Sequence, residues 1–134
     1  MTKIALTYLG NLRVSSIHLK SNSELITDAP IDNQGKGEAF SPTDTVASAL
    51  ASCMLTIMGI YANENNIDLS GTKAEVEKFM ESNPRRIDCI KVKLIFNKKF
   101  DEKTTKKLER IGYTCPVYHS LHPDLKKEII FEYA

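Results

Sequence analysis

The sequence predicts an α+β fold, and three observations lead to it. Both ends of the 134-residue chain carry short segments that alternate apolar and polar residues, the period of a half-buried strand. A long apolar segment opening at Ser41 carries a helical start signal instead. Two helical segments then separate strands that lie far apart in sequence.

The elements follow in order. Ile4, Leu6 and Tyr8 alternate with Ala5 and Thr7, and Gly10-Asn11 reads as a hairpin turn into a strand over Leu12–Leu19. A third strand, Leu25–Thr27, ends at Asp28-Ala29-Pro30, and Asp32–Phe40 carries two glycines and reads as a loop. Ser41 is a good N-cap, Pro42 suits the first helical position and Asp44 falls in the first turn. That helix can run to about Asn63, a length of roughly 31 Å at 1.5 Å per residue. Val46, Ala49, Leu50, Cys53, Ile57 and Ile60 share one stripe, and Met54, Leu55, Met58 and Tyr61 cover much of the rest. A helix apolar on most sides is buried on most sides, so one sheet is not enough to cover it. A second subunit is the simple candidate for the remainder.

Lys73–Glu81 alternates, Asn83-Pro84 marks a turn, and Ile90, Val92, Leu94 and Phe96 form one face of the next strand. Asp101–Ile111 is a polar helix with a narrow apolar edge, stopped by Gly112 as a glycine C-cap. Thr114-Cys115-Pro116 opens another helical turn, and Glu128–Tyr133 alternates as a last strand.

Length and composition suit one domain, residues 1–134. With 42% hydrophobic and 26% charged residues, the chain can build a core without staples. A formal net charge of +1 makes no electrostatic case for nucleic acid, and the lysines of Lys98–Lys107 interleave with acids as a solvated face does. Met1–Leu9 lacks the basic start and apolar run of a signal peptide. Val46–Ala62 reads as too short and too mixed for a membrane span. The expectation is a cytoplasmic protein, where a disulfide is transient and catalytic rather than structural. Three cysteines, an odd number, agree with that.

The cysteines differ in setting. Cys53 lies mid-helix among Leu50, Ile57 and Ile60, where it can be core filling or a reactive thiol. Cys115 precedes a proline suited to a first helical position, so it is a candidate N-cap whose thiol pKa the helix dipole lowers. Cys89 is out of phase with the Ile90–Phe96 face and reads as a bystander. Cys53 and Cys115 are 62 positions apart, so they form no C-x-x-C motif. They permit a two-cysteine peroxidase, in which one thiolate becomes a sulfenic acid and the other condenses with it. They also leave room for a Cys115, His119 and His122 metal site and for a cysteine hydrolase using His119 or His18.

Two longer motifs narrow this. Gly37–Asp44 followed by Val46–Cys53, GEAFSPTD then VASALASC, resembles the stretch leading to the reactive cysteine of the OsmC/Ohr family. Tyr113–Leu121, YTCPVYHSL, is similar to that family's second cysteine motif. Asp28-Ala29-Pro30 and Asn83-Pro84-Arg85-Arg86 sit where OsmC-like proteins carry similar turns. The resemblance implies an intertwined homodimer in which an antiparallel sheet from both chains wraps long central helices. It implies reduction of organic hydroperoxides in oxidative-stress defence, with Cys53 attacking, Cys115 resolving, and no cofactor. A lipoyl-type or other dithiol is the implied reductant.

The helix dipole acts within the terminal turn, and Cys53 lies about 15 Å beyond the helix start. Its thiolate therefore needs another stabiliser. The family supplies an arginine from the N-terminal hairpin, partnered by an acid near the start of the central helix. Among Arg13, Arg85, Arg86 and Arg110, only Arg13 lies in the hairpin. Family members with Asn-Pro-Glu place a glutamate directly after the proline; that position is Thr43 here, and Asp44 follows one place later, as in the Ser-Pro branch of the family. Asp44 either partners Arg13 or simply favours the helix N-terminus. A dimeric binding module without efficient peroxidase activity is the alternative reading.

Overall fold

The structure, a computed structural model, describes residues Met1–Ala134. It falls into two compact units, Met1–Val46 and Ala47–Ala134, with the boundary inside one long helix.

The first unit is a three-stranded antiparallel sheet in the order β1 (Ile4–Gly10), β2 (Arg13–His18), β3 (Ser23–Asp28). The first turn sits one residue later than the sequence suggests. Gly10 pairs with Arg13, so Asn11 and Leu12 are its central residues, with φ of 53° and 63°. Positive φ at both positions matches the right-handed twist of a two-residue hairpin. The Leu12 carbonyl accepts from Ala29 N–H at 3.0 Å, which ties the turn to the end of β3. The loop after β3 holds a single 3₁₀ turn, Ile31–Asn33, and returns through a parallel bridge from Phe40 to Thr27.

α1 (Pro42–Glu64) begins where its start signal predicts. Ser41 Oγ accepts from Asp44 N–H at 3.1 Å, and Asp44 Oδ2 accepts from Ser41 N–H at 3.0 Å. This reciprocal pair is a capping box with aspartate in the place usually taken by Glu or Gln. The helix has 23 residues. It is longer than a membrane span requires, and its most apolar 18-residue window has a mean hydropathy of 1.6. The sequence reading that set it aside as too short is therefore corrected, although a core helix meets the same measure.

The second unit holds the core. β4 (Lys73–Glu81) pairs antiparallel with β5 (Arg86–Phe96), and β6 (Lys126–Tyr133) pairs parallel with β5. The resemblance implied an antiparallel sheet; this second sheet is mixed. A parallel pair needs a long crossover, and residues 97–125 supply it as α2 (Glu102–Gly112) and α3 (Pro116–Ser120). Ile90, Val92, Leu94 and Phe96 are buried, as their alternation predicts. Phe96 stacks on Tyr133 with ring centroids 5.0 Å apart.

From α1 the chain buries Ala47, Leu50, Ala51, Met54, Met58 and Ala62. That stripe is one residue step, about 100°, from the one containing Cys53, Ile57 and Ile60. The latter side is only partly covered, and Ile60 remains 52% exposed.

Gly112 does not stop α2 in a left-handed conformation. It is the last helical residue, and Tyr113 caps the helix with φ −73°. A Cβ on Gly112 would meet Met58 Sδ at 3.1 Å, so the glycine serves close packing of α2 against α1.

Candidate active site

Cys53 projects from the middle of α1 and is half-buried. Cys115 is wholly buried and caps α3, where its sulfur accepts from Tyr118 N–H at 3.4 Å. Pro116 follows at the first helical position, as the sequence predicts. The predicted consequence for the thiol is reversed. Burial pushes the Cys115 pKa up, the Cys53 thiol beside it raises it further, and the Tyr118 amide opposes them without prevailing. A five-residue helix offers a small dipole, while removal from water penalises the thiolate directly. The fold thus brings together two free thiols that lie 62 positions apart in sequence.

Cys89 sits on β5, buried, opposite Phe79 on β4 and Lys126 on β6. Burial first, then the nearby Glu128 and Asp88 carboxylates, push its thiol pKa up. The other metal-site candidates have separate engagements. His119 Nε2 lies 2.9 Å from the Tyr113 carbonyl, and His122 Nδ1 accepts from Asp124 N–H at 3.0 Å. They do not converge with Cys115 on a point that could hold a metal ion.

In the first unit, Arg13 is the first residue of β2 and lies directly opposite Asp28, the last of β3. The two make a bidentate pair, Nε to Oδ1 at 2.7 Å and Nη2 to Oδ2 at 2.8 Å. The Asp28 side chain is 4% exposed and the Arg13 side chain 39%. Asp28 Oδ2 also accepts from Glu38 N–H at 3.1 Å, and Glu38 Oε1 lies 3.6 Å from Arg13 Nη2. The guanidinium hydrogen bond holds the Asp28 carboxyl below the usual carboxylate range, against the opposing effect of burial. A cavity of about 130 Å³ opens beside the pair, lined by Leu9, Gly10, Asn11, Arg13, Asp28 and Lys36.

Asp44 lies in the first turn of α1 and one of its oxygens serves the capping box. Arg13 has Asp28 as its bidentate acid, a residue the sequence reading passed over as part of a turn. The signal was present: once the β2–β3 register is counted, Arg13 and Asp28 fall opposite each other, and opposite charges in that position attract.

Two three-stranded sheets joined in sequence by a long helix, with a paired thiol in one unit and a bidentate acid–arginine pair in the other, point to an OsmC/Ohr-type protein. The profile of the OsmC-like protein family matches residues 35–129, and the chain belongs to that family. No curated protein matches it. Among solved structures, a Psychrobacter arcticus protein is 54% identical with a TM-score of 0.94, the match covering 98% of this chain and 96% of that one. Its name provisionally describes an osmotic stress induced and detoxification response protein. A Legionella pneumophila organic hydroperoxide resistance protein OsmC is 15% identical with a TM-score of 0.76, covering 98% of this chain and 96% of that one. One from Elizabethkingia anophelis, also named for organic hydroperoxide resistance, is 12% identical with a TM-score of 0.76, covering 100% and 98%. The last two likenesses show the shared fold.

Proposed function

We propose that this protein is a cytoplasmic, homodimeric thiol peroxidase that reduces organic hydroperoxides. The observation that carries the reading is the meeting of Cys53 and Cys115 as free thiols, one half-buried and one enclosed. The Cys53 thiolate attacks the hydroxyl oxygen of ROOH. The O–O bond breaks, ROH leaves with a proton, and Cys53 becomes a sulfenic acid. Cys115 attacks the sulfenic sulfur, an S–S bond forms and water departs. An external dithiol reduces the disulfide and is itself oxidised. Overall, ROOH and a dithiol become ROH, water and a disulfide.

Arg13 is the residue assigned to stabilise the Cys53 thiolate, and Asp44 orders the start of the helix that carries Cys53. The apolar neighbours of Cys53 on α1, Leu50 and Ile57, favour an organic hydroperoxide over hydrogen peroxide. The names of the Legionella and Elizabethkingia proteins point the same way. The dimer is supported by apolar residues this chain leaves open: Ile4, Leu6 and Tyr8 on β1 are each at least 59% exposed.

The test is a thiol count and intact mass after reduced protein meets excess cumene hydroperoxide. The expected result is loss of two thiols and of about two hydrogens in mass, consistent with a disulfide. Cys53→Ser abolishes turnover, and Cys115→Ser leaves a sulfenic acid that a dimedone probe traps. Wild-type protein that keeps all its thiols under peroxide removes the assignment and leaves the binding-module reading.

A further inference from the structure

We propose that a cavity between α1 and α2 binds an organic polyphosphate, a small molecule carrying several phosphate groups on an apolar or aromatic body. The site lies wholly within the second unit and uses neither thiol, so it stands or falls apart from the peroxidase reading.

The cavity has a volume of about 610 Å³ and is lined by Tyr61 of α1 and by Lys103, Thr104, Lys106, Lys107 and Arg110 of α2. Four of these six side chains are cationic and none is acidic. That grouping works against the helix itself. At about 100° per residue, the four cations fall within an arc of about 100°. Lys103 and Lys107, and Lys106 and Arg110, are four positions apart, the spacing at which like charges weaken a helix. Lys103 also sits in the first turn, where the helix dipole disfavours a cation. A face that had only to be soluble would mix acids among these cations.

The acids of α2 are placed elsewhere. Glu109 Oε2 accepts from the Tyr133 hydroxyl at 2.7 Å. Glu102 meets Lys106 at 2.9 Å, with side chains 84% and 69% exposed, a pair that water screens and a ligand can displace. Lys103, Lys107 and Arg110 make no ion pair. The acids that alternate with these lysines in sequence are thus separated from three of the four cations by the helical period.

The lining selects the ligand class. A phosphate group is charge-dense, and lysine point charges and the arginine fork both bind it. The cavity is also in the size range, roughly 300–1,000 Å³, that holds a drug-sized molecule rather than a lone phosphate. Tyr61 supplies a wall for its body. Lys107 Nζ lies 6.0 Å from the Tyr61 ring centroid, so phosphates held at Lys107 bring that body against the ring. A concave site of this kind favours a soluble molecule over a membrane surface.

The test is isothermal titration calorimetry of the full chain with ATP and with tripolyphosphate, in low-salt buffer with a chelator. ATP is expected to bind one per chain, and more weakly as salt rises from about 20 to about 200 mM. Lys103→Gln with Lys107→Gln is expected to weaken it by about tenfold or more. Lys3→Gln with Lys20→Gln removes the same charge at a separate surface and is expected to bind as wild type does. Tripolyphosphate is expected to bind more weakly than ATP, with Tyr61→Ala removing the difference. Without ligand, Lys103→Gln with Lys107→Gln should keep or raise the urea midpoint, because it relieves repulsion. The site is overturned if wild type does not bind ATP at millimolar concentration, if both double variants lose binding equally, or if that unliganded midpoint falls. Binding to phosphatidylglycerol vesicles without binding to ATP would make the surface a membrane contact instead. Tripolyphosphate binding as tightly as ATP would overturn the organic body.

Discussion

At the residue scale, burial sets the character of Cys115 and charge pairing that of Asp28. Cys115 combines an N-cap position with complete enclosure, and the enclosure wins. Its thiol therefore titrates above the usual cysteine value of about 8.5. Only the thiolate attacks a sulfenic acid, and its fraction grows tenfold per pH unit below the pKa. The disulfide-forming step is thus expected to accelerate between pH 7 and pH 9, measured by acid quench and mass analysis after one peroxide turnover. A rate flat across that range contradicts the enclosed, protonated thiol. Asp28 is perturbed the opposite way, its carboxyl lowered by Arg13. A carboxyl lowered on folding contributes stability that is fully present above its unfolded pKa of about 3.9. That contribution is lost as pH falls through the lower folded value. Asp28→Asn should therefore lower the urea midpoint at pH 7, and the gap to wild type should narrow as pH falls below the unfolded carboxyl value of about 3.9.

At the element scale, the loop between β3 and α1 is shaped by one close approach. A Cβ on Gly35 would sit 1.7 Å from the Ala29 carbonyl oxygen, an atom of the backbone that cannot swing aside. The Gly35 amide donates to the Pro30 carbonyl at 2.9 Å, which holds the loop in that tight return. Gly35→Ala is expected to destabilise the protein by about 1–3 kcal/mol, the usual range for overpacking, read as a lower urea midpoint. The helix starts are self-contained by comparison. Ser41 with Asp44, Asp101 with Thr104 N–H, and Cys115 with Tyr118 N–H each cap a helix with a residue three positions away. That locality is why the caps at Ser41 and Cys115 could be placed from sequence; Asp101, read there as the first helical residue, is the cap itself.

At the scale of the whole molecule, the apolar residues Ile4, Leu6 and Tyr8 of β1, which share one face of that strand, all stay exposed. Besides β1, Leu9, Leu25, Phe40 and Ile60 are about half exposed or more. The proposed dimer assigns the exposed face of β1 to the subunit interface. Sedimentation velocity is expected to give twice the chain mass of 15.0 kDa. Leu6→Lys with Tyr8→Lys is expected to shift the protein toward monomer and to reduce turnover. A wild-type monomer at micromolar concentration would count against the dimer.

The sequence by itself determined the class of fold, the order of the elements and the helix starts. These depend on period, propensity and capping, which act over a few residues. Only the tertiary structure decided that the Cys53 and Cys115 thiols meet, that burial outweighs the dipole at Cys115, and that Gly112 packs against Met58 rather than ending its helix. It also decided that β6 runs parallel to β5 and that the bidentate acid on Arg13 is Asp28. Each of these turns on which distant segments lie side by side and in what register, and no short window of sequence carries that.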